Sequence, residues 1–189
     1  MTKPAKKEIR QQQMVEATMR CIVDKGFGNF SVKDIAREAG LSTGVIYHYF
    51  ENKEEILLQV LKEAFRTSRD QVLREVDPLP DPRQKLLAYI DSMLAVTRDN
   101  PTFHVVLLNY LGQAPSNPEF ARTIRRFLHG LTAYVAGFGA AREDQNHTLA
   151  ALVIALGLGL NTLAGLGGEE YAPATLAPAF KELIQTYLP

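Results

Sequence analysis

Apolar residues recur every three or four positions along most of the chain, and no segment shows the strict alternation of a half-buried strand. The first such run is Lys6–Lys25, where Ala17, Cys21 and Ile22 share one stripe and Gly26 ends the helix. A thiol on an apolar stripe is typical of a packed side chain and not of a nucleophile. The pattern therefore predicts an all-α protein that begins with a long helix.

Three punctuated helices follow the first one. Ser31, Ser42 and Asn52 each stand directly before a helical run, where a side-chain oxygen caps the free backbone N–H groups. An acidic residue three positions after Ser31 and after Asn52 completes the spacing of a capping box. The predicted helices are Val32–Ala39, Thr43–Phe50 and Lys53 to about Val76.

Prolines and capping residues divide the rest of the chain. Residues 77–82 contain three prolines and form the clearest break in the sequence. Asp81-Pro82, Asn100-Pro101 and Asn117-Pro118 each place a capping side chain before a proline at the first helical position. Together with two further apolar runs they predict helices over 82–98, 101–112, 118–137, 143–166 and 173–187. The prediction is a bundle of about nine helices.

Composition is that of a soluble globular protein, with 46% hydrophobic and 22% charged residues in 189. A single cysteine forms no internal disulfide, and no secretory signal pattern is present, so we expect a cytoplasmic protein. The formal net charge is zero. Residues 1–50 hold eight Lys and Arg against five Asp and Glu, and the remainder holds thirteen against sixteen. A modestly basic head on an acidic body suits DNA contact at one end.

One segment raises a membrane alternative. Leu149–Leu166 is almost wholly apolar over eighteen residues, the lower limit for a spanning helix. It nevertheless contains three glycines and Asn161, lacks flanking Lys and Arg, and has no Trp and Tyr belt. A helix buried in a protein–protein core explains these features better.

Residues 31–50, SVKDIAREAGLSTGVIYHYF, have the pattern of a helix-turn-helix. Apolar positions of the first helix face inward, Gly40 supplies a left-handed turn, and Leu41 fills the space between the helices. Ile46 and Phe50 anchor the second helix to the same core. Its other face carries a hydroxyl, a bare backbone, a phenol and an imidazole, from Thr43, Gly44, Tyr47 and His48. Side chains at the start of such a helix reach base edges in the major groove.

The run IAREAGLSTGVIYHYFENKEEIL resembles the TetR family of bacterial repressors. The resemblance lies in the glycine turn, the Tyr-His-Tyr-Phe end of the recognition helix and the Lys-Glu-Glu after it, and covers about residues 8–68. It implies a DNA-binding domain over 1–52 and a ligand-binding and dimerisation domain over 53–189. It further implies a homodimer that a small apolar or amphipathic effector releases from a palindromic operator. The helical layout of the second half is similar to that of choline-repressor-like members.

Matched position by position, the family pattern assigns DNA contacts to individual residues. It implies base contacts for Lys33, Thr43, Gly44 and Tyr47. It implies phosphate contacts for Ser42, His48, Tyr49 and Lys53. A core position is the alternative for Tyr49. Val45 departs from the polar residue of many relatives, so one phosphate hydrogen bond is in doubt, although a valine can touch a thymine methyl.

The second half offers a dimer face and an effector pocket. Ala151, Ala155 and Gly159 form a ladder of small side chains on the predicted eighth helix, which permits close helix packing. With Phe180, Leu183, Ile184 and Tyr187 of the ninth, it predicts a four-helix seam between subunits; an intramolecular core is the alternative. Pocket candidates are polar-tipped or adaptable residues on apolar helices: Tyr89, Met93, Phe103, His104, Asn109, Tyr110, Phe127, Tyr134 and Asn161.

Two rival functions are less well supported. The sequence has no metal-ligand cluster, nucleophile elbow or P-loop, so we expect neither an enzyme nor a bound cofactor or metal. A helical adaptor whose helix-turn-helix binds protein is the other rival, and specific, salt-sensitive DNA binding distinguishes the repressor from both.

Overall fold

The computed structural model describes residues 3–139, 143–167 and 169–185, which form α-helices, one short 3-10 helix and no strand. In chain order they are α1 (Lys3–Lys25), α2 (Val32–Ala39), α3 (Thr43–Tyr49), α4 (Lys53–Val76), α5 (Pro82–Leu94), α6 (Val96–Asp99), α7 (Pro101–Gln113), α8 (Pro118–Ala136), α9 (Glu143–Leu166), the 3-10 helix Glu169–Tyr171, and α10 (Pro173–Gln185). The all-α prediction is confirmed, and each of the nine predicted helices is present.

The one-turn helix α6 is an addition to the prediction. The helix expected over 82–98 ends at Leu94, and Ala95, with φ −79° and ψ −7°, is a turn residue whose carbonyl accepts from the N–H groups of Arg98 and Asp99. Helix α6 then ends at Asp99, because Asn100 precedes a proline and such a residue avoids the helical region. No turn residue in the sequence marks the break at Ala95.

Two compact units make up the chain. Unit 1 comprises Met1–Arg66 and Val105–Thr123, and unit 2 comprises Thr67–His104 and Ile124–Pro189. The boundaries fall within α4, α7 and α8, so each of these helices contributes residues to both units. Because the units are defined by packing, the division into functional domains after residue 52 stays a prediction.

Unit 1 is built on α1 to α4 around fully buried side chains such as Ile22, Ile35, Ile46 and Ile56. The Tyr110 side chain completes this core. Its hydroxyl donates to the Leu57 carbonyl, and its ring meets Phe27 and Phe120 edge to face at 4.8 and 4.9 Å.

Unit 2 packs α5, α9 and α10 with the second parts of α4 and α8. Val76, Ile90 and Val153 are fully buried at its centre. Nζ of Lys181 lies 2.6 Å from Oδ2 of Asp91 and so ties α10 to α5 at the surface.

Candidate nucleic-acid interface and ligand domain

Helix α2 begins with a complete capping box. The Ser31 hydroxyl accepts from the Asp34 N–H at 3.3 Å, and the Asp34 carboxylate accepts from the Ser31 N–H at 2.8 Å. This reciprocal pair satisfies two free N–H groups and fixes where the helix starts. The capping role expected for Ser31 is therefore confirmed.

Gly40 makes the turn between α2 and α3. Its φ of 64° lies in the left-handed region, which glycine adopts without steric cost. The next N–H, of Leu41, donates to the Ala36 carbonyl at 2.8 Å. Ser42 then caps α3, with its hydroxyl accepting from the Val45 N–H at 3.3 Å. Only three residues, 40–42, therefore connect the two short helices.

Buried side chains and polar ties hold this pair on α1. Ile46 and Phe50 of the α3 region are buried together with Ile35 of α2. Nε2 of Gln13 donates to the Ala39 carbonyl at 2.7 Å, and Arg20 pairs with Glu38 at 2.6 Å. The first of these contacts joins residues that are 26 positions apart, and the second joins residues that are 18 positions apart. The sequence pattern indicated neither of them.

The opposite face of α3 is open to solvent. Tyr47 is 55% exposed although it is a large aromatic residue, and His48 and Gly44 are exposed beside it. A Cβ atom at Gly44 would contact only the Oγ atom of Ser42, at 3.8 Å, so the fold of the free protein does not require a glycine there. The bare backbone is therefore consistent with close approach of another molecule.

The other predicted DNA contacts surround this face. Lys33 and Ser42 are exposed, whereas Thr43, Val45 and Tyr49 are half-buried. The Tyr49 ring packs edge to face against His48 at 5.2 Å, so the side chain is neither fully in the core nor fully free. The structure thus exposes four of these residues, Ser42, Gly44, Tyr47 and His48, and leaves Thr43 and Tyr49 half-buried.

Lys53 has a role that the sequence did not predict. Its Nζ donates to the Phe30 carbonyl at 2.5 Å and lies 3.9 Å from the centre of the Phe30 ring. Burial lowers the pKa of this half-buried ammonium group. Lys53 therefore links the start of α4 to Phe30, the residue before the N-cap of α2. An ammonium group has three donors, so the predicted phosphate contact would have to use the others.

A second missed feature is the charge cluster on Asp34. Oδ1 of Asp34 lies 2.6 Å from Nζ of Lys25 and also pairs with Arg37. Hydrogen bonds from Lys25, then from the Ser31 hydroxyl and N–H, hold the pKa of the Asp34 carboxyl well below its ordinary value. The same carboxylate therefore caps α2 and joins α2 to the end of α1.

The small-residue ladder of α9 is exposed in the single chain. Ala151, Ala155 and Gly159 are all exposed. Large apolar side chains accompany them on the same helix: Leu152, Leu156, Leu163 and Leu166, at 61%, 39%, 38% and 79% exposure. By length and composition alone α9 meets the criteria for a membrane span, which the core helix of a soluble protein also meets. This apolar surface, the α9 face, is uncovered in the single chain.

The predicted interface residues of α10 divide into two groups. Phe180 and Ile184 are buried in the core of unit 2 and are not available to a partner, so the sequence-based assignment needs correction there. Leu183 is 50% exposed. Tyr187 lies outside the described residues. The amphipathic spacing identified the apolar positions of α10 but not which of them the chain covers itself.

The predicted effector residues fall into both units. Asn109 and Tyr110 belong to unit 1, where Asn109 donates to the Val105 carbonyl of its own helix at 2.8 Å and Tyr110 is held by Leu57. Both residues therefore lie outside unit 2, and their polar groups already have partners within unit 1. The remaining candidates belong to unit 2: Tyr89, Met93, Phe103, His104, Phe127, Tyr134 and Asn161.

Hydrogen bonds or packing contacts hold Asn161, Met93 and Tyr134 within unit 2. Asn161 donates to the Met93 carbonyl at 2.8 Å, and a Cβ on Gly157 would lie 2.1 Å from the Met93 methyl group, so Met93 packs on bare α9 backbone. Tyr134 donates to Asp77 at 2.7 Å, and burial together with that bond raises its pKa. Burial alone raises the pKa of Tyr89. Among the described residues no group of three or more His, Cys, Asp and Glu is placed to hold a metal.

Two family models match the chain. The model described as bacterial regulatory proteins, tetR family, matches residues 14–60. The model described as BetI-type transcriptional repressor, C-terminal, matches residues 82–189, more than half of the chain. Together they cover the candidate nucleic-acid interface and unit 2 from residue 82 onward.

Similar proteins share these parts. An HTH-type transcriptional regulator BetI from Stenotrophomonas maltophilia is 32% identical over 126 residues, 66% of this chain and 64% of that protein, slightly less than two thirds of its length. One from Klebsiella pneumoniae is 28% identical and covers 100% of this chain and 99% of its own. A putative transcriptional regulator from Saccharomonospora viridis, solved in complex with choline, has the same fold, with a TM-score of 0.79, 21% identity and coverage of 94% and 96%.

Proposed function

The chain belongs to the TetR family of bacterial regulatory proteins, and on that premise we propose that it is a transcription repressor that binds a palindromic operator as a homodimer. The observation that carries the proposal is the free face of α3, where Tyr47 is 55% exposed on a helix whose other face is buried. The core of unit 1 does not use this side chain, and the major groove accepts side chains from a helix of this kind.

We assign base contacts to Lys33, Thr43, Gly44 and Tyr47 of α2 and α3. We assign phosphate contacts to the residues around them, Ser42, His48, Tyr49 and Lys53. The Ser42 hydroxyl supports this assignment because it accepts from the Val45 N–H, which leaves its own hydrogen to donate to a phosphate oxygen. No catalytic step is part of the proposal, and the location we assign is the cytoplasm.

The experiment that tests the function is selection of binding sites from a random double-stranded DNA library. We expect enrichment of a palindrome with half-sites about one helical turn or a multiple of it apart, roughly 34 Å. Binding of the selected sequence, followed by fluorescence anisotropy, is expected to weaken steeply with salt. If selection enriches no common sequence, the chain is an adaptor or an enzyme and the proposal is wrong.

We propose that the α9 face forms the homodimer, together with Leu183. Four leucines with 38–79% exposure on one helix are a large apolar surface for a soluble chain. A second copy of α9 would cover them, and Ala151, Ala155 and Gly159 would let the backbones approach closely. Sedimentation equilibrium of the purified protein measures this directly, and a monomer at micromolar concentration contradicts it.

We propose that unit 2 binds a small effector that releases the operator. The choline-bound structure of the Saccharomonospora viridis regulator supports a ligand site in this fold. A small-molecule screen by thermal shift, followed by operator release, tests this part.

A further inference from the structure

Helix α3 carries none of the side chains that read a base pair through two parallel hydrogen bonds. Its seven residues are Thr, Gly, Val, Ile, Tyr, His and Tyr, so Arg, Lys, Asn, Gln, Asp and Glu are all absent from it. Those absent side chains are the ones that pair with guanine, adenine or cytosine edges in the major groove. Thymine presents in addition a C5 methyl group, which carbon atoms of a side chain contact. The composition of α3 therefore suits contact with methyl groups.

Tyr47 is the exposed large apolar side chain of this helix. It is 55% exposed, and neither its hydroxyl nor its ring has a partner among the described residues. Its neighbour Ile46 is fully buried, and the half-buried Tyr49 ring packs against His48. The ring of Tyr47 is thus a carbon surface that the free chain leaves uncovered.

Thr43 and Gly44 lie on the same side of α3 as Tyr47. Successive residues of an α-helix are about 100° apart around its axis, which places residues 43, 44 and 47 within a sector of about 100°. Thr43 brings a methyl group to this sector, and Gly44 has no side chain to keep a partner away. Val45 lies about 160° from Tyr47 around the axis and so faces away from it. The carbon surface of this sector therefore consists of Tyr47 with Thr43 one turn before it.

We propose that α3 recognises thymine by its C5 methyl group, which packs against the ring of Tyr47 and the methyl group of Thr43. This inference rests on the proposed function, because it names a base that the operator presents to α3. Burial of one methyl-sized group away from water is worth about fourfold in affinity. We therefore expect thymine in each half-site at the position that faces Tyr47.

Lys33 provides a base contact of a different chemistry. It is exposed on α2, and an ammonium group donates to the two acceptors of a guanine edge. A base read by Lys33 is thus selected by hydrogen bonds, and its recognition does not depend on a methyl group. Substitution of Lys33 therefore separates a general loss of base contacts from a loss of methyl recognition.

Uracil in place of thymine tests the methyl group alone, because it keeps the base pair and O4 and lacks only the C5 methyl. Each thymine of the selected palindrome is replaced in both half-sites together, and Kd is measured by fluorescence anisotropy at constant salt. We expect about 15-fold weaker binding at the contacted position, about fourfold for each half-site, and less than about twofold elsewhere. The converse test places cytosine there, and 5-methylcytosine is expected to bind about 15-fold more tightly than cytosine.

Substitutions of Tyr47 test whether its ring makes the contact. The measured quantity is the Kd for the uracil operator divided by the Kd for the thymine operator. Tyr47→Ala is expected to reduce this ratio from about 15 to less than about 4, whereas Tyr47→Phe keeps the ring and the ratio, whatever affinity the hydroxyl contributes. Lys33→Ala is the matched control, which weakens binding of both operators and leaves the ratio unchanged. A purely structural role of Tyr47 would lower both affinities equally.

Three outcomes overturn the inference: a selected palindrome whose half-sites lack thymine, a ratio near one at every thymine, and an unchanged ratio in Tyr47→Ala. In each of these cases the protein has bound a common sequence, so the proposed function stands and only the assignment of the base has failed. Selection that enriches no common sequence contradicts the proposed function itself, and the inference fails with it.

Discussion

At the scale of single residues, Tyr47 links the fold to the proposed function most directly, because the core does not use it. Tyr47→Ala is expected to cost about 1–3 kcal/mol of operator binding without unfolding the protein. Fluorescence anisotropy with the selected operator, at matched salt, measures the loss, and circular dichroism checks the fold. Tyr171→Ala removes a tyrosine exposed outside the helix-turn-helix and serves as the control. Wild-type affinity in Tyr47→Ala would remove Tyr47 from the interface.

Lys53 has a structural contact with Phe30 and a proposed contact with a DNA phosphate, and a substitution separates the two. Without its ammonium group the Phe30 carbonyl loses a donor and the Phe30 ring loses a cation, so Lys53→Ala is expected to destabilise unit 1 by about 1 kcal/mol. It is also expected to weaken binding to all DNA sequences and to reduce the salt slope by about one. Urea unfolding and salt-dependent anisotropy measure the two effects, with exposed Lys62→Ala as control. A destabilised protein with an unchanged slope would leave Lys53 a purely structural role.

The Asp34 carboxylate makes a prediction about pH. Its pKa in the folded protein is lowered by Lys25 first and then by Ser31, whereas in the unfolded chain it is ordinary, about 3.9. The ionised form therefore stabilises the fold above about pH 4, and this contribution is lost as the pH falls below that value. Asp34→Asn should lower the urea midpoint at neutral pH, with a difference from wild type that shrinks toward about pH 2–3. Asp24→Asn, at an exposed position of α1, should show no such trend.

At the scale of elements, helix boundaries followed from local chemistry and were predictable. The caps at Ser31, Ser42 and Asp81 act on N–H groups three positions away, so a short stretch of sequence contains all the information. The tie from Lys53 to Phe30 spans 23 positions, and that from Gln13 to Ala39 spans 26. Those pairings depend on how the helices pack, which periodicity does not determine.

The same limit explains the corrections in the second half. Spacing showed that α10 has apolar positions, but a helix can direct them to its own chain or to a partner. Phe180 and Ile184 are covered within unit 2, whereas Leu183 is not. Tyr110 looked like a pocket residue because it is polar-tipped, yet its hydroxyl is taken up by Leu57, 53 positions earlier. Residue type alone did not distinguish a satisfied tyrosine from an available one.

The α9 face supplies the prediction at this scale. In the proposed dimer, Ala155→Glu would put an unpaired charge into each half of a close-packed apolar seam, so we expect a monomer or an aggregate and loss of operator binding. Ala133→Glu adds the same charge at an exposed position of α8 and should leave the dimer intact. Sedimentation velocity compares the two variants. A stable Ala155→Glu dimer would show that the subunits meet elsewhere.

At the scale of the whole molecule, regulation requires that the two units influence each other. Helices α4, α7 and α8 each contribute residues to both units, so a change in one unit has three continuous elements through which to reach the other. A ligand shifts operator binding only by as much as it prefers one conformation over the other. The coupling is therefore a free energy that can be measured without knowing which helix moves.

Reciprocity gives this coupling a strict test. If an effector weakens operator binding by some factor, the operator must weaken effector binding by the same factor, typically about 5- to 150-fold. We expect an effector found in the thermal-shift screen to bind the operator-bound protein more weakly than the free protein, by the factor with which it lowers operator affinity in anisotropy. Calorimetry on both forms measures the first factor, and anisotropy measures the second. Equal affinity of that effector for free and operator-bound protein would mean that its binding does not drive release, whatever site it occupies.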